Sequence, residues 1–152
     1  MRYAHTNLIS HDWRKLARFY IDIFACEPVP PERNQSGEWL DQGTGIKNAA
    51  LQGVHLRLHG HGENGPTLEI YQYSQTLPQS PVQPNQRGIG HLAFEVDDII
   101  EVITAVLAGG GEKQGDLTTK TVPGLGVLSF LYVRDPEGNL IELQNWQKAN
   151  EK

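Results

Sequence analysis

The sequence is poor in cysteine: Cys26 stands alone, so no disulfide can form within the chain. It has no block of like charge, because its 13 basic and 18 acidic residues are scattered and leave a net charge of −5. That balance argues against nucleic acid or an anionic membrane as partner. No apolar run approaches the ~18 residues that span a bilayer, and the opening MRYAHTNLISHDWRK lacks the apolar segment of a secretory signal. These absences predict a cytoplasmic chain, on which the Asn34-Gln35-Ser36 sequon stays unmodified. The glycine-bearing stretches Gly43-Thr44-Gly45 and Gly109 to Lys113 lack dinucleotide or P-loop spacing and read as turns. No serine triad can be argued from the order of residues.

What the sequence does have is one pattern written twice. In the first half, Tyr3 to Ile9 reads as a strand, His11-Asp12 offers a helix N-cap, and Trp13, Leu16, Ala17, Phe19, Tyr20 and Ile23 recur at helical spacing. In the second, Ile89 to Val96 reads as a strand and Asp97-Asp98 as a cap. Ile99, Val102, Ile103, Val106 and Leu107 then form a stripe that ends at Gly109-Gly110-Gly111. Strand-like stretches follow each helix: Glu38 to Ile46, Ala50 to His59 and Pro66 to Tyr73, then Lys120 to Val122, Leu125 to Arg134 and Asn139 to Trp146. Asp135-Pro136-Glu137-Gly138-Asn139 is a hairpin turn. The expected organisation is one α+β domain over residues 1–152, built from a strand, a helix and three strands twice over. The first module spans 1–75, a proline-bearing linker 76–87 and the second module 88–147. From histidine to glutamate the halves span 69 − 5 = 64 and 142 − 91 = 51 residues. The first therefore carries 13 more, which the Pro28-Val29-Pro30-Pro31 region is expected to hold as a loop.

Side chains alternate across a strand. Leu68 and Ile70 therefore share one face and Glu69 takes the other. Ile141 and Leu143 oppose Glu142, Leu92 and Phe94 oppose His91, and Ala4, Thr6 and Leu8 oppose His5. Two imidazoles and two carboxylates thus face away from the helices, toward the concave side of a curved sheet. This nitrogen and oxygen set suits one divalent ion, Zn²⁺, Ni²⁺, Co²⁺, Mn²⁺ or Fe²⁺, and lacks the thiolates of a closed structural zinc site. An octahedral ion so held keeps two positions for adjacent oxygens of a small substrate. His55, Arg57 and His59 alternate with Leu56 and Leu58 and read as a solvated strand face. Cys26 reads as a small helix-end filler. Trp39, Tyr71, Tyr73 and Trp146 are candidate aromatic walls for a substrate.

His5-Thr-Asn-Leu, Asp12 to Tyr20, Leu68-Glu69-Ile70, Gly90-His91-Leu-Ala-Phe and Phe130 to Leu143 together resemble the glyoxalase, bleomycin-resistance and extradiol-dioxygenase superfamily, also called vicinal oxygen chelate. The resemblance implies two βαβββ modules forming a half-open, curved mixed sheet, commonly in a homodimer. It also implies metal ligation in the order His, Glu, His, Glu, which His5, Glu69, His91 and Glu142 match. In that setting Glu142 is the expected base of a proton transfer and Glu69 its counterpart, as in a glyoxalase I-like lyase or isomerase. Extradiol dioxygenases use only the places of His5, His91 and Glu142, which makes an Fe²⁺ ring-cleaving enzyme one rival. A non-catalytic antibiotic-binding protein is another. Bacterial glyoxalase I holds glutathione with an arginine and an asparagine where this chain has Ile9 and Tyr73.

Overall fold

In a computed structural model, residues 1–148 are described and form two compact units, Met1–Pro78 and a second beginning at Gln79. The first contains β1 (His5–Ile9), α1 (Trp13–Phe24), β2 (Glu27–Ser36), α2 (Glu38–Thr44), β3 (Ala50–Arg57) and β4 (Thr67–Tyr73). Its sheet runs β1-β4-β3-β2, with β1 parallel to β4 and the other pairs antiparallel. The second contains β5 (Leu92–Glu95), α3 (Ile99–Ala108), β6 (Glu112–Lys113), β7 (Thr118–Val122), β8 (Gly126–Arg134) and β9 (Leu140–Lys148). Its sheet repeats the arrangement as β5-β9-β8, with β6 and β7 both on the free edge of β8. Each unit is thus a strand and helix followed by an antiparallel sheet whose last strand returns beside the first. This is the α+β, twice-repeated architecture that the sequence predicts. No helix among the described residues is long and apolar enough to cross a membrane.

Helices α1 and α3 start where a carboxylate can satisfy their free N–H groups. Asp12 accepts from the Lys15 N–H at 3.0 Å, and Asp98 accepts from Ile100 and Glu101 at 3.0 and 2.9 Å. Helix α1 buries Trp13, Leu16, Ala17, Phe19, Tyr20 and Phe24. On the sheet, Val54, Leu56, Leu68 and Ile70 are buried. In the second unit Leu131, Val133, Ile141 and Leu143 are buried in the same alternation on β8 and β9, and α3 contributes Ile99 and Val106. Cys26 is buried just past α1, and burial pushes its thiol up to about 11, so it is a packing group and not a nucleophile.

Three expectations change. The stretch Glu38 to Ile46 is mostly helix, because Gly37 and Gly45, both at positive φ, punctuate its ends and Asp41 caps the chain beyond. The Asp41 carboxylate accepts from the N–H groups of Asn48 and Ala49 at 2.7 and 2.8 Å. The Pro28 to Pro31 region is not a loop but part of the ten-residue β2, with a register shift between Val29 and Arg33. Prolines are tolerated there because β2 is an edge strand and their missing N–H groups break no ladder beyond it. The extra length of the first half therefore sits in the long β2 and in α2. Third, β5 is confined to Leu92–Glu95 and β1 begins at His5, so the opening strands are shorter than predicted.

The Asp135 to Asn139 turn is held by the buried Asp135 carboxylate, which accepts from the N–H groups of Glu137 and Asn139 at 2.9 Å each. The neighbouring Arg134 is 5 % exposed and donates to the carbonyls of Gly138 and Val82 at 2.9 and 2.7 Å, with Glu112 at 3.6 Å. One guanidinium thereby fastens the proline-bearing segment to the sheet of the second unit.

Candidate functional site

The sheet registers place the candidate ligands in equivalent positions in both units. Asn7 pairs with Glu69, and His5 lies two residues earlier on β1; Ala93 pairs with Glu142, and His91 lies two residues earlier, just ahead of β5. A two-residue step keeps the same face, so each opening strand brings an imidazole onto the face of its glutamate. Nδ1 of His5 is 3.3 Å from Oε1 of Glu69, and Nε2 of His91 is 3.2 Å from Oε2 of Glu142. The four expected ligands thus form two imidazole–carboxylate pairs, one in each unit.

Each glutamate has a further partner on the preceding strand that the sequence reading did not find. His55 pairs with Glu69 across β3 and β4, and its Nε2 lies 3.1 Å from Oε1 of Glu69 and 2.7 Å from the Tyr71 hydroxyl. Facing the carboxylate, Nε2 is best matched when it carries the proton and donates, since an unprotonated nitrogen would oppose lone pair to negative charge. The equivalent place opposite Glu142 is Tyr132, whose hydroxyl hydrogen-bonds that carboxylate and whose ring centroid is 5.0 Å from that of His91. Burial pushes Tyr71 up to about 12, with the Glu69 charge adding to the rise. Burial, the Glu142 charge and the hydrogen bond raise Tyr132 in the same way. Burial lowers His55, against the Glu69 charge that favours its protonation. Both phenols therefore stay protonated beside their carboxylates.

The other aromatic candidates divide. Tyr71 shares the Glu69 face through its bond to His55. Tyr73, two residues further along β4, is on the same face, and both tyrosines pack on the small cluster of Leu40, Ala49 and Leu51. Trp39 is 60 % exposed on α2, its indole N–H donating to the Ser36 carbonyl at 3.0 Å. Trp146 stands opposite Leu128 near the end of β9, with its N–H directed to Oε1 of Gln144 at 3.3 Å. Unit 1 also contains cavities of about 260 and about 560 Å³ beside Trp13 and Arg14, which neither pair lines.

A metal ion can be tested against these donors. Imidazole and carboxylate ligands sit roughly 2.0–2.2 Å from an ion such as Zn²⁺, which puts neighbouring donor atoms about 3 Å apart. The 3.2 and 3.3 Å separations of the pairs fit that requirement. Among the described residues, no three His, Cys, Asp or Glu side chains form a group arranged to hold an ion. In unit 1 both imidazoles converge on the same oxygen, Oε1 of Glu69, instead of surrounding a common point. Each unit therefore offers two donors.

The sequence matches the family model of the Glyoxalase/Bleomycin resistance protein/Dioxygenase superfamily over residues 2–143. A probable lactoylglutathione lyase from Vibrio parahaemolyticus is 27% identical over 153 residues, covering 97% of this chain and 94% of that one. Among solved structures, a glyoxalase family protein from Bacillus cereus superposes with a TM-score of 0.78 at 19% identity, covering 96% of this chain and 94% of its own. A fosfomycin resistance protein from Listeria monocytogenes, in complex with Mn(II) and sulfate, gives 0.56 at 17%, covering 96% and 93%. At these identities the two structures show a shared fold.

Proposed function

From the premise that the chain belongs to the glyoxalase/bleomycin resistance protein/dioxygenase superfamily, we propose that it is a metal-dependent lyase or isomerase that moves a proton on a small substrate bound through two adjacent oxygens. The observation that carries this reading is the imidazole–carboxylate pair repeated at one register in both units. His5, Glu69, His91 and Glu142 would hold one divalent ion. When bound, such an ion acts as a Lewis acid that makes a C–H beside a carbonyl more acidic.

Glu142 is the base. It accepts the proton on a carboxylate oxygen and returns it to the same or the neighbouring carbon, giving epimerisation or isomerisation. Tyr132 donates its O–H to that carboxylate and fixes the direction in which the free lone pair points. Glu69 is the less mobile of the two, since its side chain is 11% exposed and two imidazoles hold one of its oxygens. That engagement supports the four-donor reading over the three-donor set of a ring-cleaving dioxygenase, in which the Glu69 position is unused. The relative named as a probable lactoylglutathione lyase suggests a thiol-adduct substrate, while Ile9 and Tyr73 replace the side chains by which glutathione is held in bacterial glyoxalase I. The working assembly is a homodimer, testable by sedimentation.

Metal analysis of the purified protein, followed by NMR of solvent-deuterium uptake into α-hydroxy and α-keto compounds, tests the proposal. Uptake should require metal and vanish in Glu142→Gln. Exchange that survives this substitution removes Glu142 as the base.

A further inference from the structure

Four of the seven arginines have a carboxylate: Arg14 pairs with Glu32, Arg18 with Asp22, Arg57 with Glu27 and Arg134 with Glu112, while Arg2 and Arg87, without an ion pair among the described residues, are exposed to solvent. Arg33 is different. It is half-buried, has no ion pair among the described residues, and donates only to the carbonyl of Pro31, two residues away in its own strand. A guanidinium carries five donors in a planar fork suited to a carboxylate or phosphate, so most of its capacity is unused.

Its position is set by the registers. Arg33 pairs with Gly53, Gly53 with Tyr71, and Tyr71 with Ile9, which makes one cross-strand row. The adjacent row is Val29, His55, Glu69 and Asn7. Directly paired residues share a face, so Arg33 is on the face that bears His55, Glu69 and Tyr71. Gly53 carries no side chain in that row, and the Tyr71 ring takes up the room. A Cβ there would stand 2.4 Å from Cδ1 of Tyr71 and 2.0 Å from the Ile70 carbonyl oxygen, so the Tyr71 ring lies across the glycine toward β2.

We propose that Arg33 is the anchor for an anionic group of the substrate, a carboxylate or phosphate borne several bonds from the pair of oxygens that bind at the metal. The two rows are two residues apart along β3 and β4, roughly 7 Å, and β2 lies two strands from β4, roughly 10 Å, so about 12 Å separates the Cα atoms of Arg33 and Glu69 and the two side chains close part of that span. A substrate as short as a three-carbon ketoaldehyde cannot span it. The inference deepens the function proposed above and rests on Glu69 marking the chelating end.

The test uses the metal-loaded protein and two acids of different length, 2-oxoglutarate and 2-oxoadipate, each beside its ω-amide. Calorimetry should show at least one acid binding about tenfold or more tightly than its amide. In Arg33→Gln that preference should disappear while the amide binds as before, and Arg33→Lys should keep part of it. A preference of similar size in Arg33→Gln, or no preference in the wild-type protein for either length, overturns the inference. Glu142→Gln separates it from the function on which it rests: this variant should lose deuterium uptake and keep the acid-over-amide preference. Absence of uptake in the wild-type protein with the preference intact would overturn the proton-transfer reading alone.

Discussion

The two units present the same pair on the same register and surround it differently. Glu69 has a second imidazole, His55, opposite it; Glu142 has a phenol, Tyr132. Where unit 1 has Gly53 with Tyr71 laid across it, unit 2 has Phe130 paired with Gln144. A repeated backbone thus fixes where a donor pair forms, and the next strand decides what each carboxylate is free to do. A carboxylate held by two imidazoles is suited to stay in place. One held by a single imidazole and a neutral hydroxyl, with its side chain 18% exposed, is suited to exchange a proton.

The sharpest way to break this comparison is to neutralise each carboxylate in turn. Glu142→Gln should lower deuterium uptake by roughly 10²–10⁴-fold, the usual contribution of a general base, with most of the bound metal retained. Glu69→Gln should instead lower metal content along with activity. Identical signatures would make the halves interchangeable. The partners come next: His55→Phe should weaken metal binding about 10–100-fold, as loss of a group orienting a ligand does. Tyr132→Phe should cost one hydrogen bond, ~1 kcal/mol or about fivefold, and competition with a chromophoric chelator measures both. Reversal of that order would show Glu142 to be the more firmly held.

Part of this contrast was legible in the sequence. Strand parity is a local property, so Leu68 and Ile70 about Glu69, and Ile141 and Leu143 about Glu142, announced their faces without a structure. His55 was legible only in part. Its alternation with Leu56 put it on the outer face, but its role depends on the β3–β4 register, in which Leu51 meets Tyr73 and therefore His55 meets Glu69. Extending the hairpin around the Gly60 to Gly65 turn would have found it. Arg33 was hidden because three prolines before it read as loop, and only the edge position of β2 makes them compatible with a strand. In α2, Trp39 and Leu40 suggested a strand, while the glycines at 37 and 45 carried the information that it is a short helix. The two-residue β6 is too short to leave any periodicity.

Smaller effects sharpen the comparison at the level of stability. Gly53→Ala forces a methyl against the Ile70 carbonyl and should cost about 1–3 kcal/mol, read from urea unfolding. Phe130 shows that the equivalent place in unit 2 accepts a large side chain. The helix caps differ least. Asp98→Ala removes the acceptor for two N–H groups and Asp12→Ala an acceptor for the Lys15 N–H, and each should cost ~1 kcal/mol. Thermal melts of the two variants measure the difference.

In each unit the first strand lies parallel to the last, so an imidazole meets its carboxylate only across 64 residues in one case and 51 in the other. Contacts so distant along the chain are slow to form. On the ribosome, His5 emerges long before Glu69 exists, and a unit still missing its last strand has no matched donors with which to capture a stray ion. Ion capture is thereby deferred until the last strand of a unit has been synthesised and docked, a safeguard that comes from strand order alone.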